Sequence, residues 1–487
     1  MKRKKSMNMW RRSAAAVLSM TLLLPAAQPL QAAGTGSSGA SRVQEVMELL
    51  QKKHVGAPSA DALSDAAVKA MVESLEDPYT QYFTPEELQQ FEDAVENQYV
   101  GIGVRIGLEP EGVYIADVFE GSPAKEAGLA PGDLIVTVGG TSVAGKKTGE
   151  VAELIAGEPG TTVVVGVVRG SETKEFTVSR KKVQIPTVVS RVFPSKVGYL
   201  EIASFSSDAD ELLEKELAAL KSQGIRSLIL DLRDNPGGLL ESAKGMIRQF
   251  VKEGTLIHTL DSSRVDKPVE FSGGTTQPFP LYVLVNENSA SASEVLTGAL
   301  QDYGAAKVIG AHTYGKGSVQ SVYELEGGGA LKVTIEEYLT PKNRKVNHVG
   351  LDPDVAVEGY LAQLLTALRL AGEKEPVLTA DPRITTVGGV MVQDTLDVVR
   401  EGGQTYVPAR ALAAYLGGTV QWNEASRSVV LVSADGSTMY TPGEGGFLLK
   451  EGTGFVSLNG VSKDAFGSSL QWIDDGRKLT IRTGASK

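Results

Sequence analysis

Leu281-Tyr-Val-Leu-Val-Asn-Glu-Asn-Ser-Ala-Ser-Ala-Ser-Glu294 passes from five apolar positions into a turn of small residues, and from there into a helical stretch, Ser293–Tyr303. An unbroken apolar run of this length describes a strand buried on both faces. The same grammar extends outward in both directions. Apolar runs at Val197–Ile202, Ser227–Leu232 and Lys307–Ile309 alternate with helical stretches such as Asp208–Gln223. The alternation predicts an α/β core with a largely buried sheet over residues 176–365.

Three phrases in this core carry chemistry. In the first, Ser289, Ser291 and Ser293 crowd the turn, and their small neighbours let another backbone come close. A serine at a helix start has the following N–H and the helix dipole available to an oxyanion, although such residues also serve as plain caps. The second phrase, Gly310-Ala-His-Thr-Tyr-Gly-Lys-Gly-Ser-Val-Gln320, sets Lys316 between two glycines that bare its backbone for close packing or ligand approach. Ser–Lys catalysis needs a lysine kept neutral, which burial achieves by penalising the ammonium; the amine then takes the serine proton. Gln320 is placed to orient that amine without adding a charge. The third phrase, Leu230-Asp-Leu-Arg-Asp-Asn-Pro-Gly-Gly238, is a strand ending in a tight turn whose glycine N–H groups suit an oxyanion hole. His312 and His348 lie near these phrases, but no Gly-x-Ser-x-Gly brackets a serine, so a His-based triad is set aside and His312 is expected at a strand end in a structural role.

The N-terminal part reads as a helical segment over 42–92, with helices at about Val43–Lys53 and Ala62–Leu75. In Asp77-Pro-Tyr-Thr-Gln-Tyr-Phe-Thr-Pro-Glu-Glu-Leu88, Thr84 is the expected N-cap, with Pro85 at the first helical position and Glu87 closing a capping box. Over 93–175 short strands stand between glycines. Tyr99-Val-Gly-Ile-Gly-Val-Arg-Ile106 and the helix-turn-strand phrase Gly121-Ser-Pro-Ala-Lys-Glu-Ala-Gly-Leu-Ala-Pro-Gly-Asp-Leu-Ile135 together resemble a PDZ domain. The resemblance implies that the Val100–Val104 segment pairs with an extended peptide, with the loop at Gly101, Ile102 and Gly103 holding its terminal carboxylate.

Residues 385–487 contain a repeat. Tyr406-Val-Pro, Val420-Gln-Trp422 and Arg427 are echoed by Phe455-Val-Ser, Leu470-Gln-Trp472 and Arg477, which describes a duplicated β-rich unit. Its first copy resembles the copper-amine-oxidase-N-like stalk domain of bacterial surface proteins. Copper does not follow, because the last of the 4 histidines is His348 and the chain has no cysteine. The unit is expected to be an attachment or wall-association module, with a passive spacer as the alternative.

At the N-terminus, Lys2, Arg3, Lys4, Lys5, Arg11 and Arg12 precede the apolar run Ala14–Leu24, and small residues follow at Ala32 and Ala33. This is the layout of a secretory signal peptide over 1–33, with an uncleaved membrane anchor as the alternative. The expected location is extracellular or at the cell envelope. Absence of cysteine removes disulfides, thiolate catalysis and Cys-based zinc sites. A net charge of −11 repels phosphate backbones and argues against nucleic acid as a partner.

Taken in order, the Asp-Pro-Tyr phrase, the PDZ-like region, the Asp-Leu-Arg-x-Asn-x-Gly-Gly turn, the Ser-Ala-Ser-Ala-Ser-Glu phrase and the Gly-Lys-Gly-x-Val-Gln phrase resemble the carboxyl-terminal processing (tail-specific) proteases over residues 42–355. The resemblance implies a mixed α/β serine peptidase core with an inserted PDZ domain, no cofactor, and protein or peptide substrates with apolar C-termini. It selects Ser291, 25 positions before Lys316, as nucleophile, Lys316 as base and Gln320 as its orienting partner. The oxyanion donors it implies are the N–H groups of Ala292 and Gly238, with Gly237 the alternative. Arg169, at the end of a PDZ strand, is a candidate for coupling tail binding to the site. The region after about 375 departs from the helical ends of known members, which places any family homodimer built on those ends in doubt.

Overall fold

The computed structural model describes residues 22–24, 38–109, 111–381, 384–433, 436–441, 446–461 and 469–484. Apart from β1 (Leu22–Leu24), the expected signal peptide lies outside the described residues. Helices α1 (Ser38–Lys53) and α2 (Ala60–Glu73) lead into β2 (Gln81–Phe83) and α3 (Pro85–Val95). Thr84 caps α3 as its sequence predicts: Thr84 Oγ1 accepts from Glu87 N at 3.2 Å, and Glu87 accepts from Thr84 N at 2.9 Å.

β3 (Gln98–Gly101) pairs with β10 (Lys181–Gln184), and between them the PDZ region closes on its own core. It comprises β4 (Val104–Glu109), β5 (Gly112–Val118), α4 (Pro123–Ala127), β6 (Leu134–Val138), β7 (Thr141–Ser142), α5 (Thr148–Ile155), β8 (Thr162–Arg169) and β9 (Glu172–Ser179). The sheet order β4-β5-β6-β8-β9 leaves the outer edge of β4 unpaired among the described residues.

The core follows with β11 (Val188–Val192), β12 (Val197–Ile202), α6 (Ala209–Ser222), β13 (Ser227–Asp231), α7 (Leu240–Ile247), β14 (Gly254–Leu260), β15 (Asp266–Phe271), β16 (Leu281–Val285), α8 (Ala292–Asp302), β17 (Ala306–Gly310), β18 (Ser318–Glu324), β19 (Ala330–Leu339), β20 (Val355–Ala356) and α9 (Tyr360–Ala371). Strands β12, β13, β16, β17 and β20 run parallel, with β11 antiparallel at the edge. Side chains alternate across this sheet. Leu228, Leu230, Val283 and Val285 face α6, α7 and α8, whereas Ile229, Leu284 and Ile309 join the layer formed by α9. Both faces are covered, which is why the strands read as unbroken apolar runs. A second sheet, β1-β18-β19-β14-β15 with β2 on β19, carries β18, the strand that follows Lys316, so two sheets contribute to one place.

The C-terminal domain does not hang free of this core. Its helix α10 (Ala409–Leu416) packs on α9, and Leu361, Leu364, Leu365 and Leu368 share one buried cluster with Val407, Leu412, Leu416, Leu431, Val456 and Ile481. Each such leucine contributes roughly 1.5–3 kcal/mol of burial. The repeat is visible as paired equivalents: the Gln404–Pro408 and Thr453–Ser457 strands lie side by side, antiparallel, with Val407 opposite Val456.

Candidate active site

The turn between β16 and α8 holds Ser291 at φ 57°, ψ −116°, a conformation costing about 1–3 kcal/mol for a residue with a Cβ. Surrounding bonds impose it. Ser289 Oγ donates to Leu232 O at 2.7 Å and accepts from Asn286 N, while Ser293 Oγ donates to Asn235 O at 2.9 Å. Ser291 Oγ, equally buried, has no hydrogen-bond partner among the described residues. Of the three serines, the middle one alone is left unspent, and neither His312 nor His348 reaches it. His312 is engaged with Asp352 Oδ1 at 2.7 Å and Val349 O, and the Asp352 bond raises its pKa.

Glu294 organises the site. It lies on the first turn of α8, fully buried, and its two oxygens accept four hydrogen bonds. Oε1 takes Thr313 Oγ1 at 2.5 Å and Gly315 N at 2.8 Å; Oε2 takes Ser291 N at 3.0 Å and Lys316 N at 2.8 Å. Burial pushes its pKa up and these donors oppose the shift. On the other side the Tyr338 hydroxyl lies 3.2 Å from Ser291 O and 2.9 Å from Lys316 O. The two segments are thus tied at their N–H groups and at their carbonyls.

Lys316 is wholly buried, and its pKa falls to about 7: burial disfavours the ammonium, the positive charge of Lys332 adds to that, and Glu294 and Asp77 oppose it. Its Nζ stands 4.7 Å from the centre of the Tyr79 ring, so the Asp-Pro-Tyr phrase forms a wall of the site. Lys332, on β19, is buried under Phe83 and Phe91 with its own pKa lowered to about 8, chiefly by burial. The glycines flanking Lys316 serve close packing. A Cβ at Gly317 would fall 2.1 Å from Asn347 N, and one at Gly315 3.0 Å from Gly350 N.

Gln320 is also fully buried, one strand pair from Thr334. Its Nε2 donates to Ser318 Oγ at 2.9 Å and Thr334 Oγ1 at 3.2 Å, while its Oε1 has no partner among the described residues. The expected bond to Lys316 is therefore not made in this geometry.

Gly237 and Gly238 come from the turn after β13. Gly237 N donates to Asn235 Oδ1 at 2.9 Å, so that donor is occupied; no such bond forms for Gly238 N or Ala292 N among the described residues. A Cβ at Gly237 would stand 2.7 Å from Ser291 Cβ and 2.9 Å from Ala292 N, which shows how closely this turn covers the serine.

In the PDZ region the three residues expected to hold a carboxylate differ in setting. Gly101 belongs to β3, Ile102 is in the domain core with its carbonyl accepting from Ala124 N, and Gly103, at φ 83°, swings the chain into β4. The Tyr99 ring packs against Gly101, where a Cβ would fall 2.4 Å from its Cε2, and burial raises the Tyr99 pKa, with the backbone of Gly103 and Val104 opposing the rise. Arg169 grips Asp133 through two bonds of 2.6 and 2.7 Å, donates to Gly128 O and stacks on Phe176. It braces the PDZ domain, and among the described residues it makes no bond to the peptidase core.

Glu294, Tyr338, Tyr79 and Lys332 were not singled out from sequence. Glu294 had a signal, the Ser-x-x-Glu spacing of a capping box. The others sit on distant elements, and their pairing with Lys316 exists only once the two sheets are assembled.

Comparison with known proteins matches this architecture. Residues 196–357 match peptidase family S41, residues 100–179 a PDZ domain, and residues 370–432 and 386–449 the copper amine oxidase N-terminal domain. Copper does not fit that last region, since no histidine follows His348, the chain has no cysteine, and no metal-competent cluster occurs among the described residues. A CtpA-like serine protease of Staphylococcus aureus is 35% identical over 337 residues, covering 69% of this chain and 68% of that one. Its counterpart in Staphylococcus epidermidis is 35% identical over 330 residues, covering 67% of each. Among solved structures, the photosystem II D1 C-terminal processing protease aligns with 66% of this chain and 94% of its own, at 29% identity and a TM-score of 0.42. The chain belongs to peptidase family S41, as a serine-type endopeptidase of the carboxyl-terminal processing kind that carries a PDZ domain.

Proposed function

We propose that Ser291 is the nucleophile, Lys316 its general base, and the N–H groups of Ala292 and Gly238 the oxyanion donors, with Gln320, whose Oε1 has no partner among the described residues, taking up the amine only as substrate enters. The observation that carries this reading is the contrast among the serines: Ser289 and Ser293 are spent on backbone partners, while Ser291 Oγ is strained, buried and unpartnered. A lysine with its pKa near 7 is half neutral at neutral pH and suits a base. As substrate enters, the Lys316 amine takes the Ser291 proton and Oγ bonds to the scissile carbonyl carbon, whose oxygen becomes the anion held by the two N–H groups. Collapse expels the amine, which carries the proton from Lys316, and water then releases the acyl group by the same route.

The apolar tail of the substrate adds to the free edge of β4, and its carboxylate is held by the loop at Gly101, Ile102 and Gly103, beside the Tyr99 ring. Export through the N-terminal leader and envelope association through residues 385–487 complete the reading; cell fractionation with and without that segment tests both. The site itself is tested with casein and an apolar-tailed peptide. Cleavage by the parent, lost in both Ser291→Ala and Lys316→Ala, is expected; activity retained in both variants refutes the Ser–Lys assignment.

A further inference from the structure

The C-terminal domain reaches the peptidase core through a buried group of charges that the hydrolytic mechanism does not use. Arg233, at the head of the oxyanion turn, is 6% exposed at its side chain. Its Nε lies 2.9 and 3.0 Å from the two Asp231 oxygens and its Nη2 2.6 Å from Asp231 Oδ2. Nη1 donates to Tyr360 O at 2.7 Å, and the guanidinium lies 4.8 Å over the Tyr360 ring. The remaining side of Nη2 meets Asp394 Oδ2 at 3.3 Å, a buried carboxylate two residues beyond the C-terminal strand Val390–Val392.

From Arg233 the contacts run directly into the oxyanion turn. The Tyr360 hydroxyl donates to Asp234, and Asn286 Nδ2 donates to both Asp234 Oδ1 at 2.9 Å and Tyr360 Oη at 2.8 Å. Asp234 is thereby held at φ 55°, with its N–H on Asn286 Oδ1. The next residue, Asn235, accepts from Ala290 N at 3.1 Å and takes up the Gly237 N–H. The links of Arg233 to Asp231 and Asp394 and those of Asn286 to Asp234 and Tyr360 are partly buried, whereas the two bonds that Tyr360 makes to Arg233 and Asp234 are exposed. The Arg233 guanidinium is fixed on three sides, so its displacement is passed to the turn through the Tyr360 backbone and ring.

We propose that Asp394 is a positioning residue: by completing the Asp231–Arg233–Asp394 group, the C-terminal domain fixes Tyr360 and, through it, the turn 234–238 that supplies an oxyanion donor. This rests on the oxyanion reading above. It makes the C-terminal domain part of the catalytic apparatus of this chain as well as a candidate attachment module.

The test uses the full chain and three readouts: kcat and KM on a fluorogenic peptide, the rate of active-site labelling by a fluorophosphonate, and Tm. Asp394→Asn is expected to lower kcat and the labelling rate together by about ten-fold with KM little changed, since small misplacement of a reacting geometry acts on the chemical step. Asp394→Glu is expected to recover most of the loss. Tyr360→Phe, which keeps the ring but deletes the hydroxyl, should show the same pattern, and the double variant should cost little more than either single one. Should Asp394→Asn fail to fold, Tyr360→Phe and Asp394→Glu carry the test. Leu396→Ala, buried in the same docked domain, controls for general loosening. Full activity in Asp394→Asn, full additivity with Tyr360→Phe, or a loss that merely tracks Tm as in Leu396→Ala overturns the inference. Ser291→Ala retaining activity would instead sink the site reading on which it rests.

Discussion

Ser291 and Lys316 share both of their backbone partners: Glu294 Oε2 accepts the N–H of each, at 3.0 and 2.8 Å, and the Tyr338 hydroxyl lies against the carbonyl of each. The separation of the proposed nucleophile and base is therefore set by two side chains to which the proposed mechanism assigns no proton transfer. A buried carboxylate with all four acceptor positions used is rigid, because releasing any donor leaves an unpaired group in the interior.

Glu294→Gln replaces two of those acceptor positions with N–H donors that face other donors. We expect kcat to fall at least about ten-fold, with a stability loss of about 1–3 kcal/mol from the unpaired groups. Peptide kinetics beside urea denaturation check this, and a variant of parental kcat would show that Glu294 is dispensable to the geometry.

The pH dependence has a definite sign. Burial lowers the Lys316 pKa to about 7, and the proposed role of base requires the neutral amine, so kcat/KM is expected to rise with pH through that value. Lys332→Met removes a positive neighbour, which raises the Lys316 pKa and moves the acid limb to higher pH. Stability follows the same linkage. Between about 7 and the ordinary lysine value of 10.5 the unfolded state binds a proton that the folded state does not, so stability rises with pH across that window. Lys316→Met flattens part of the rise, the remainder belonging to Lys332; pH-resolved melting measures it.

Gly237→Ala places a Cβ 2.7 Å from Ser291 Cβ and 2.8 Å from Ala290 O, at a residue whose φ of 106° disfavours any side chain. Loss of oxyanion geometry is worth about 10²-fold in kcat. A folded Gly237→Ala protein with near-parental turnover would remove this turn from the site.

Tyr99→Phe deletes the one polar group of a ring packed beside the carboxylate loop, a hydroxyl expected to compete for the Gly103 and Val104 N–H groups. An apolar-tailed peptide with a free carboxylate is expected to bind about three- to ten-fold tighter, the worth of one hydrogen bond no longer displaced. Fluorescence anisotropy with the free-acid and amidated peptides decides it: an equal gain for both would mean that Tyr99 blocks the strand edge and not the carboxylate loop.

Local sequence determined a great deal of this molecule. The buried parallel strands at Val197–Ile202 and Leu281–Val285 and the Thr84 cap each follow from patterns within a few residues, because period and capping are local properties, and the duplicated unit follows from short phrases recurring along the chain. The chemical phrases around Ser291, Lys316 and Gly238 were legible for the same reason. What only the tertiary structure decided is which groups are spent and which are left. That Ser289 and Ser293 are consumed by Leu232 O and Asn235 O, that Gly237 N is taken by Asn235, and that Asp394 arrives at Arg233 from 161 positions away depend on chain segments meeting in space. The lowered pKa of Lys316 belongs to the same class, since burial and the charge of Lys332 act through distance in the folded chain and leave no trace in the spacing of residues along it.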